Sequence, residues 1–562
     1  MTTPAQAYEF ARGARLGIQP WDESGSPLRS LQLSRPLDFA MVSDHAELFG
    51  EIVSCTTPGM SGYSAWQCRM YRRWPRAAYY WFNYWSSQHA KRVGFCGKEG
   101  EVCLEAAIGP WRDTILAAEN ANVTGPLCEF SSFVGYEWTG GSSSGGSGNL
   151  HRNVVFRNAT VPEAPISFIE EPTEDGLYAA LDEQCNNAQT GCQALVIPHN
   201  SNLSAGLMFD DNLTRNQAET RQRLEPLVEI MQHKGASECF FDPLNTRDEL
   251  CAFEQLPIRS FTDGSAPRAG DGFLREVLRD GLALEQGVGA NPFKLGFVGS
   301  SDTHLGAAGA VEEGAFLGHG GAGKPAGEAV PHGLPDFAYY NPGGLAVLWA
   351  EENTREALFE AMLRREAYAT SGPRIVARFY GGWELDAGMC SDPEFVAAGY
   401  RDGVPMGGTL PVDEGTGPPV FAVFAQQDTG TEHQPGTPLL KVQIIKGWVD
   451  LVGNHHEAIY DVARANEPGR VDPGTCLQSG AGASTLCRVW RDPQFDPEQA
   501  AYYYARVLEG PSCRWSQRMC IARRVDCSQP ETVSAGLEAC CDASHRPVIH
   551  ERAWTSPVWY SP

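Results

Sequence analysis

Basic charge, long apolar runs and histidine are all scarce in this chain of 562 residues. The 44 lysine and arginine residues are outnumbered by 69 aspartate and glutamate residues, which gives a formal net charge of −25. Because nucleic-acid backbones require basic surfaces, this charge argues against a nucleic-acid partner. A cluster of divalent cations could still attract a small anionic substrate, since the cations reverse the local charge. No apolar run approaches the roughly 20 residues that cross a bilayer, and we expect no membrane span.

Cysteine pairs of the C-x-x-C type, which are typical of zinc ribbons, are also absent, although the chain has 17 cysteines. The cysteines stand singly or at wider spacings, such as Cys96/Cys103 and Cys185/Cys192. We interpret most of them as disulfides formed in an oxidising compartment, with the odd one left free. The alternative is a reduced protein with buried thiols. A periplasmic or secreted protein would carry a signal peptide, and we expect that one has been lost from the start of this chain.

The patterns of apolar residues predict an α/β chain with two domains, residues 1–372 and residues 373–562. In the first domain, strand and helix patterns alternate. The predicted helices there include residues 4–14, 177–187, 274–285 and 354–365. In the second domain, short alternating segments are separated by Gly, Pro and Asp turns, which predicts a β-rich, sandwich-like domain. Its predicted strands include residues 374–380, 420–425 and 439–445.

Several of the 13 histidines stand at the ends of predicted strands. Apolar runs at residues 37–42, 130–136, 194–198, 227–232 and 293–298 lead into Asp44-His45, Glu137, His199, His233 and Asp302-x-His304 respectively. His151 instead opens a run, residues 153–156. Because barrel enzymes present metal ligands from strand ends at one mouth, we hypothesise a metallohydrolase.

Each of these residues also has a structural interpretation. Asp44 and Asp302 could cap the segments that follow them, and His151 could be a half-exposed strand residue. Glu229 and His233 could support the ligands or line the mouth of the site. Glu238 is interpreted as a surface residue.

These residues together resemble the PHP (polymerase and histidinol phosphatase) metallohydrolases. More closely, several blocks resemble a bacterial family of PHP relatives that is known mostly as a domain of unknown function and is often exported. The blocks read SRPLDF at 34–39, YATSGPR at 368–374, QIIKGW at 443–448, YYARVLE at 503–509 and RAWTSP at 552–557. Their order and joint occurrence cover nearly the whole chain.

The resemblance implies a distorted PHP-like (β/α)7 barrel that holds two or three divalent metal ions at the carboxyl ends of its strands. Glu137 would bridge two metals, and His151 and His199 would complete one of them. The remaining ligands would be Asp302 for the other bridged metal, with His45 and His304 for a third. These side chains suit zinc, manganese or iron. His199 or His304 would also serve as the catalytic proton donor.

The chain departs from the PHP pattern at its start. PHP proteins begin with a strand that carries a His-x-His motif, whereas the first histidine here is His45. One expectation is that the first strand has been lost together with the signal peptide. The other is that this chain is a natural member that lacks part of the metal cluster.

The resulting functional hypothesis is a metal-dependent hydrolase, a phosphoesterase that uses a metal-activated water on a small anionic or ester substrate. Two alternatives stay open. One is a catalytically impaired, exported binding or scaffold protein, and the other is a metal-dependent amide or lactone hydrolase. The sequence predicts no particular oligomeric state.

Overall fold

The computed structural model describes residues 2–125, 129–141, 148–244, 246, 248–256, 272–320, 329–412, 417–432 and 434–562. Within these residues the chain is a mixed α/β protein with eleven α-helices and several separate sheets. The helices are α1 Pro4–Ala11, α2 Phe49–Thr56, α3 Trp66–Arg73, α4 Pro75–His89, α5 Glu101–Ala121, α6 Glu174–Leu181, α7 Arg215–Leu224, α8 Leu274–Val288, α9 Arg355–Leu363, α10 Phe395–Asp402 and α11 Trp515–Ala522.

All four predicted helices are confirmed, with shifted ends that follow from local capping. Thr354 accepts a hydrogen bond from the backbone of Ala357 and so starts α9. Thr3 caps α1 in the same way. At the carboxyl end of α8, Gly289 adopts a left-handed conformation with φ of +82°. This conformation ends the helix at Val288, three residues beyond its predicted limit.

The strands of the first part of the chain form a hairpin and two small sheets. Their bounds are β1 Leu16–Trp21, β2 Pro27–Leu31, β3 Phe39–Met41, β4 Ser131–Trp138, β5 Arg152–Phe156, β6 Ala194–Pro198, β7 Leu227–Gln232, β8 Gly235–Ala236 and β9 Gly296–Gly299. The hairpin is β1-β2, one sheet has the order β3-β4-β5-β6, and the other has the order β8-β7-β9. Strand β3 runs parallel to β4, and β7 runs parallel to β9.

One antiparallel strand explains why His151 opens a run while the other candidate residues close theirs. Strand β5 is antiparallel to both of its neighbours, β4 and β6. The amino end of β5 therefore lies at the same edge as the carboxyl ends of β4 and β6. His151 precedes β5 directly and so reaches the edge where Glu137 and His199 lie.

The remaining strands form the β-rich part of the molecule. Their bounds are β10 Leu345–Leu348, β11 Ala367–Thr370, β12 Val376–Gly382, β13 Val404–Pro405, β14 Val420–Gln426, β15 Leu439–Val449, β16 His455–Arg464, β17 Arg470–Val471, β18 Gln478–Ser479, β19 Thr485–Arg491, β20 Ala501–Glu509, β21 Ser512–Cys513, β22 Val548–Ile549, β23 Arg552–Thr555 and β24 Val558–Tyr560. A seven-stranded sheet has the order β10-β11-β23-β20-β15-β16 with β24 on β20, and a four-stranded sheet has the order β13-β12-β14-β19. A shared apolar core lies against both sheets.

The seven-stranded sheet connects the two halves of the sequence. Its strands β10 and β11 precede residue 372, and the other five follow it. Strand β9 lies beside β10 and β11, and β6 lies beside β7. In the part of the chain that the structure describes, hydrogen bonding does not close these strands into a barrel. The expected boundary at residue 372 stays a prediction, and it falls within a chain whose halves share one sheet.

A buried group of charged side chains also joins the two halves, and it corrects the interpretation of Glu238 as a surface residue. Glu238 is 3% exposed, and its carboxylate accepts hydrogen bonds from Arg275 on α8 at 2.7 Å and from Arg506 on β20 at 3.0 Å. Tyr504 and Trp554 donate to it at 2.6 and 2.7 Å. Three of these partners, Tyr504, Arg506 and Trp554, come from positions more than 200 residues later, which local sequence patterns do not show.

Sixteen cysteines form eight disulfides, which is consistent with an oxidising compartment. The pairs are Cys55–Cys68, Cys96–Cys103, Cys185–Cys192, Cys239–Cys251, Cys390–Cys487, Cys476–Cys513, Cys520–Cys540 and Cys527–Cys541. The seventeenth, Cys128, lies outside the described residues. No helix in the described part of the chain has both the length and the apolar character of a membrane span.

We expect the Cys390–Cys487 disulfide to contribute more to stability than the short-range bonds, because it links residues 97 positions apart. In the chain-entropy description, a longer closed loop restricts the unfolded chain more. Changing both cysteines to serine should lower the free energy of unfolding by about 2–4 kcal/mol, measured by urea titration. The same change at Cys185–Cys192, which are 7 positions apart, is the control. An equal or larger loss in the control would contradict this expectation.

Candidate metal centre

Backbone hydrogen bonds hold the strand ends together at one edge. The backbone N–H of Ala46 donates to the carbonyl of Glu137 at 3.1 Å, and the N–H of Glu137 donates to the carbonyl of Asp44 at 3.0 Å. On the other side, the N–H of His199 donates to the carbonyl of His151 at 3.2 Å. Four segments of the sequence therefore present their side chains from fixed positions, paired as Asp44–Ala46 with Glu137 and His151 with His199.

Three imidazoles surround one oxygen of Glu137. The Oε1 atom lies 2.6 Å from Nδ1 of His151, 3.3 Å from Nε2 of His199 and 3.3 Å from Nδ1 of His45. Burial acts to raise the pKa of Glu137, but the three nearby histidines offset this and hold that pKa well below its usual range. Glu137 is therefore a buried carboxylate that carries its charge among nitrogen ligands.

His304 joins the same group through His45. Their Nε2 atoms are 3.4 Å apart. Nδ1 of His304 lies 3.0 Å from the carbonyl oxygen of Asp302, which can only accept, so this nitrogen carries the proton and leaves Nε2 with a lone pair. Nδ1 of His45 lies 2.6 Å from the hydroxyl of Thr139. When Nδ1 of His45 donates its proton to the hydroxyl of Thr139, the Nε2 atoms of His45 and His304 both carry lone pairs, and these face each other. A cation between the two Nε2 atoms would bind both.

These separations fit shared metal ligands. Two ligands bound to one tetrahedral zinc at about 2.0–2.1 Å lie roughly 3.3 Å apart. The distance between His45 and His304 nitrogens is 3.4 Å, and that between Glu137 Oε1 and His199 Nε2 is 3.3 Å. Among the described residues, the buried Nε2 atom of His199 has no well-directed hydrogen-bond partner. Unpartnered buried polar atoms are costly, so the donor set fits a bound metal.

Asp302 lies at the edge of this group and is held by other residues. Its Oδ2 atom contacts Nζ of Lys234 and accepts from Nε2 of Gln232 at 2.7 Å. Its Oδ1 atom is 4.0 Å from Nδ1 of His304. The backbone of Asp302 is left-handed, with φ of +45°, a conformation that an aspartate adopts more easily than most residues. The Oδ1 atom is the one that remains for a metal.

The structure therefore brings together all six sequence-predicted ligands. Glu137, His151 and His199 form one group, His45 and His304 form a pair beside it, and Asp302 adjoins that pair. Ligand atoms of His45, Glu137 and His151 all lie within 4.8 Å of one another. The roles assigned to these side chains stay predictions, as do the metals that they would hold.

Burial favours neutral imidazoles at this edge, which is the form that binds metals. It lowers the pKa of His151 to about 4 and holds the pKa of His304 well below its usual range. Burial raises the pKa of Glu229, which favours the neutral form of this carboxyl group. It accepts from the hydroxyl of Ser300, and its Oε1 atom lies 3.9 Å from Nδ1 of His199. Glu229 thus lies behind His199, beyond hydrogen-bond distance of it.

The family of the chain was established by comparison with known proteins. A family model described as "Protein of unknown function (DUF3604)" matches residues 1–562. The chain belongs to this family. The comparison with curated proteins and the comparison with solved structures each found no match. The DUF3604 match covers all the candidate ligands, and the wider resemblance to PHP enzymes stays a prediction.

Three residues of this DUF3604 protein extend the site beyond the sequence predictions. His319 stacks on His233 with ring centroids 5.1 Å apart, and His233 in turn lies 6.2 Å from the ring of His304. His319 stands in a glycine-rich loop without a strand pattern, so no local signal could have identified it. Lys234 is the second residue after β7 and could have been found by the same strand-end reasoning that singled out His233.

Glu47 is the third addition and supports the DUF3604 site from outside the ligand group. Its Oε1 atom accepts from the backbone N–H of Thr139 at 2.8 Å and of Phe168 at 3.2 Å. The first contact fixes the residue whose hydroxyl lies beside His45. Sequence reasoning placed Glu47 only in a segment capped by Asp44.

Proposed function

We propose that this protein is a metal-dependent hydrolase of the PHP type, with phosphoesters as its substrates. The observation that supports this most is the approach of three imidazoles to one oxygen of Glu137, together with the adjoining pair His45 and His304. Five side chains from separate stretches of the sequence meet at one edge. Such a mixture of carboxylate and imidazole is typical of zinc, manganese or iron sites.

The fold proposed with this function is a distorted PHP-like barrel. In its support, β3 and β4 are parallel, β7 and β9 are parallel, and the ends of these strands carry the candidate ligands. An apolar cluster with side chains from β4, β6, β7 and β9 packs behind that edge. Strand β3 lies at the edge of its sheet and has only β4 as a hydrogen-bonded neighbour in the described part of the chain.

Two or three divalent ions held by these residues would activate a water, lowering its pKa from about 15.7 towards 7, and polarise the scissile bond. Glu137, His151 and His199 would hold one position, with Asp302 completing a second and His45 and His304 a third. Glu137 would take part in two positions, because a carboxylate can bridge cations. The partly exposed rings of His45, His151 and His304 would form the open side, where a substrate enters.

His199 and His304 are also the proposed proton donors to the leaving group. A nitrogen that binds a metal cannot donate a proton in the same step, so the two roles compete. The side chain of His199 is 2% exposed and faces Glu137, which favours a ligand. The side chain of His304 is 28% exposed, so a leaving group can reach it, and it would act as donor only when its Nε2 atom holds a proton in place of a metal.

The direct test combines metal analysis with a substrate panel. We expect more than one equivalent of zinc, manganese or iron after mild purification, and hydrolysis of p-nitrophenyl phosphate or bis(p-nitrophenyl) phosphate that a chelator abolishes and added metal restores. A protein with neither metal nor turnover would be the impaired scaffold instead. Turnover confined to amides or lactones would identify the other alternative hydrolase.

We further propose that the protein works in the periplasm or outside the cell. Support comes from its eight disulfides, which persist in oxidising compartments. Cell fractionation with thiol alkylation of the native protein tests this. Oxidised cysteines in the exported fraction are the expected result, and reduced protein in the cytoplasm would contradict it.

A further inference from the structure

A lysine lies among the carboxylates and imidazoles of the candidate metal centre. The side chain of Lys234 is 9% exposed. Its backbone is fixed on both sides, because its N–H donates to Oε1 of Gln232 at 2.6 Å and its carbonyl accepts from Nδ2 of Asn202 at 3.0 Å. The side chain therefore starts from a rigid position at the end of β7.

The ammonium of Lys234 uses only part of its hydrogen-bonding capacity. Its Nζ atom contacts Oδ2 of Asp302, and within the described ranges no other acceptor lies at hydrogen-bond distance. An ammonium has three N–H donors. Two of them are left for a further acceptor, and a buried cation with unused donors requires one.

The ammonium lies on the Asp302 side of the site, since Nζ contacts Oδ2 of Asp302, whose Oδ1 atom is 4.0 Å from Nδ1 of His304. Its positive charge helps to lower the pKa values of His304, His233 and His319. The negative charges of Glu137 and Glu229 partly offset the lowering of the pKa of Lys234 by burial. A ligand that lies between Glu137 and His304 would therefore also be near the ammonium.

Charge balance points to the nature of that ligand. Two divalent ions would more than offset the negative charges of Glu137, Asp302 and Glu229, and Lys234 adds a further positive charge. The protein ligands then leave an excess of positive charge in a largely buried site. An anionic group on the substrate would balance it, and lysine binds phosphate as a compact point charge.

We propose that Lys234 binds a negatively charged oxygen of the substrate beside the metal ions, so that the site selects substrates whose reacting group is a phosphoryl group with a high negative charge. This inference rests on the proposed metal-dependent hydrolysis. It adds a residue that sets specificity for phosphomonoesters over diesters and neutral esters.

The competing role for Lys234 is purely structural. In that case it only holds Asp302 in place, and its loss would disturb metal binding and slow every substrate to the same extent. A role in binding the substrate charge predicts a loss that depends on the charge of the substrate. The two roles are therefore separated by comparing substrates rather than by loss of activity alone.

The test uses Lys234→Met in the full chain with three substrates, p-nitrophenyl phosphate as a dianion, bis(p-nitrophenyl) phosphate as a monoanion and p-nitrophenyl acetate as a neutral ester. We expect kcat/KM to fall roughly 10- to 100-fold for the dianion, the range for loss of a hydrogen bond to a charged group. The loss should be smaller for the monoanion and near zero for the neutral ester, with unchanged metal content. Lys234→Gln serves if the methionine variant does not fold.

Lys446→Met is the matched control, because Lys446 is also a buried lysine paired with an aspartate, Asp492 at 2.7 Å, but lies on β15. It should leave the ratios among the three substrates unchanged. An equal loss of kcat/KM on all substrates for Lys234→Met, or a loss of bound metal, would overturn the inference about Lys234. Neither result would contradict the proposed hydrolase function.

A second measurement covers a metal-loaded wild type that cleaves none of the three substrates. Calorimetry with inorganic phosphate should then show binding to the wild type that is weakened at least about tenfold in Lys234→Met. Equal affinity in both would overturn the inference. A wild type that holds no metal would instead refute the proposed function, and the role of Lys234 with it.

Discussion

Glu137→Gln should remove most of the bound metal and lower the hydrolytic rate at least about 100-fold, since even residues that only support metal ligands cost 10- to 100-fold when changed. The amide keeps the shape of the side chain but loses the negative charge that three imidazoles approach. It also loses one of the two oxygens that a bridging carboxylate needs. His199→Ala and Asp302→Ala should also lower the metal content.

The control for this prediction is Glu509→Gln. Glu509 is equally buried, at 2% exposure, but it lies on β20 in the seven-stranded sheet. Burial raises its pKa well above the usual range, so glutamine resembles the neutral form that is already favoured there. This variant should keep its metal and its activity. If Glu137→Gln, His199→Ala and Asp302→Ala all retained metal and turnover, the metal centre would be assigned to the wrong residues.

Glu238→Ala should be the most destabilising substitution outside the candidate site. It would leave Arg275 and Arg506 with only Asp248 as a shared buried carboxylate, at 2.8 and 2.9 Å. Removing one partner of a buried ion pair typically costs about 3–5 kcal/mol, because the remaining charge stays buried and unpaired. We expect a loss of that size in urea titrations followed by tryptophan fluorescence.

The pH dependence of stability gives a second measurement at Glu238. Burial alone would raise its pKa, but Arg506, Arg275 and Arg552 more than offset this and lower it. A lowered pKa in the folded state means that the stabilisation is present above the pKa of the unfolded chain, about 4.3 for glutamate. It is lost as the pH falls below that value towards the folded pKa. Glu238→Ala should therefore lose less stability on acidification than the wild type.

An exposed ion pair provides the comparison for Glu238→Ala. Glu219 pairs with Arg215 one turn earlier on α7, and both side chains are at least half exposed. Exposed pairs of this kind contribute about 0.3–0.5 kcal/mol. Glu219→Gln should therefore change the unfolding free energy by no more than that. Similar losses in both variants would show that the buried charges do not hold the two halves together.

The sequence allowed the positions of the candidate ligands to be predicted because strand patterns are local. The bounds of β6 and β7 were predicted to the residue, since β6 is an uninterrupted apolar run and β7 is a mostly apolar run with Glu229 inside it, and a histidine follows each. The end of such a run determines where the next side chain stands. His199 followed directly from this rule, whereas Glu137 lies within β4, one residue before its end.

The contacts of Lys234, His319 and Glu238 could not be predicted, because they depend on pairing between distant segments. Lys234 meets Asp302 across 68 positions, and Glu238 meets Arg506 across 268. Hydropathy patterns indicate which face of an element is buried, but they do not show which opposite charge is buried with it. The barrel prediction met the same difficulty, because closing a ring of strands also depends on long-range pairing.

The position of β23 has a consequence for fragments of the chain. This strand, Arg552–Thr555, lies between β11 and β20, and Ser556 just after it donates to the carbonyl of Ala367 and accepts from the N–H of Phe297 on β9. Fragments that end near residue 372 would lack both β23 and β20, so the edge of β11 would be unpaired and prone to aggregation.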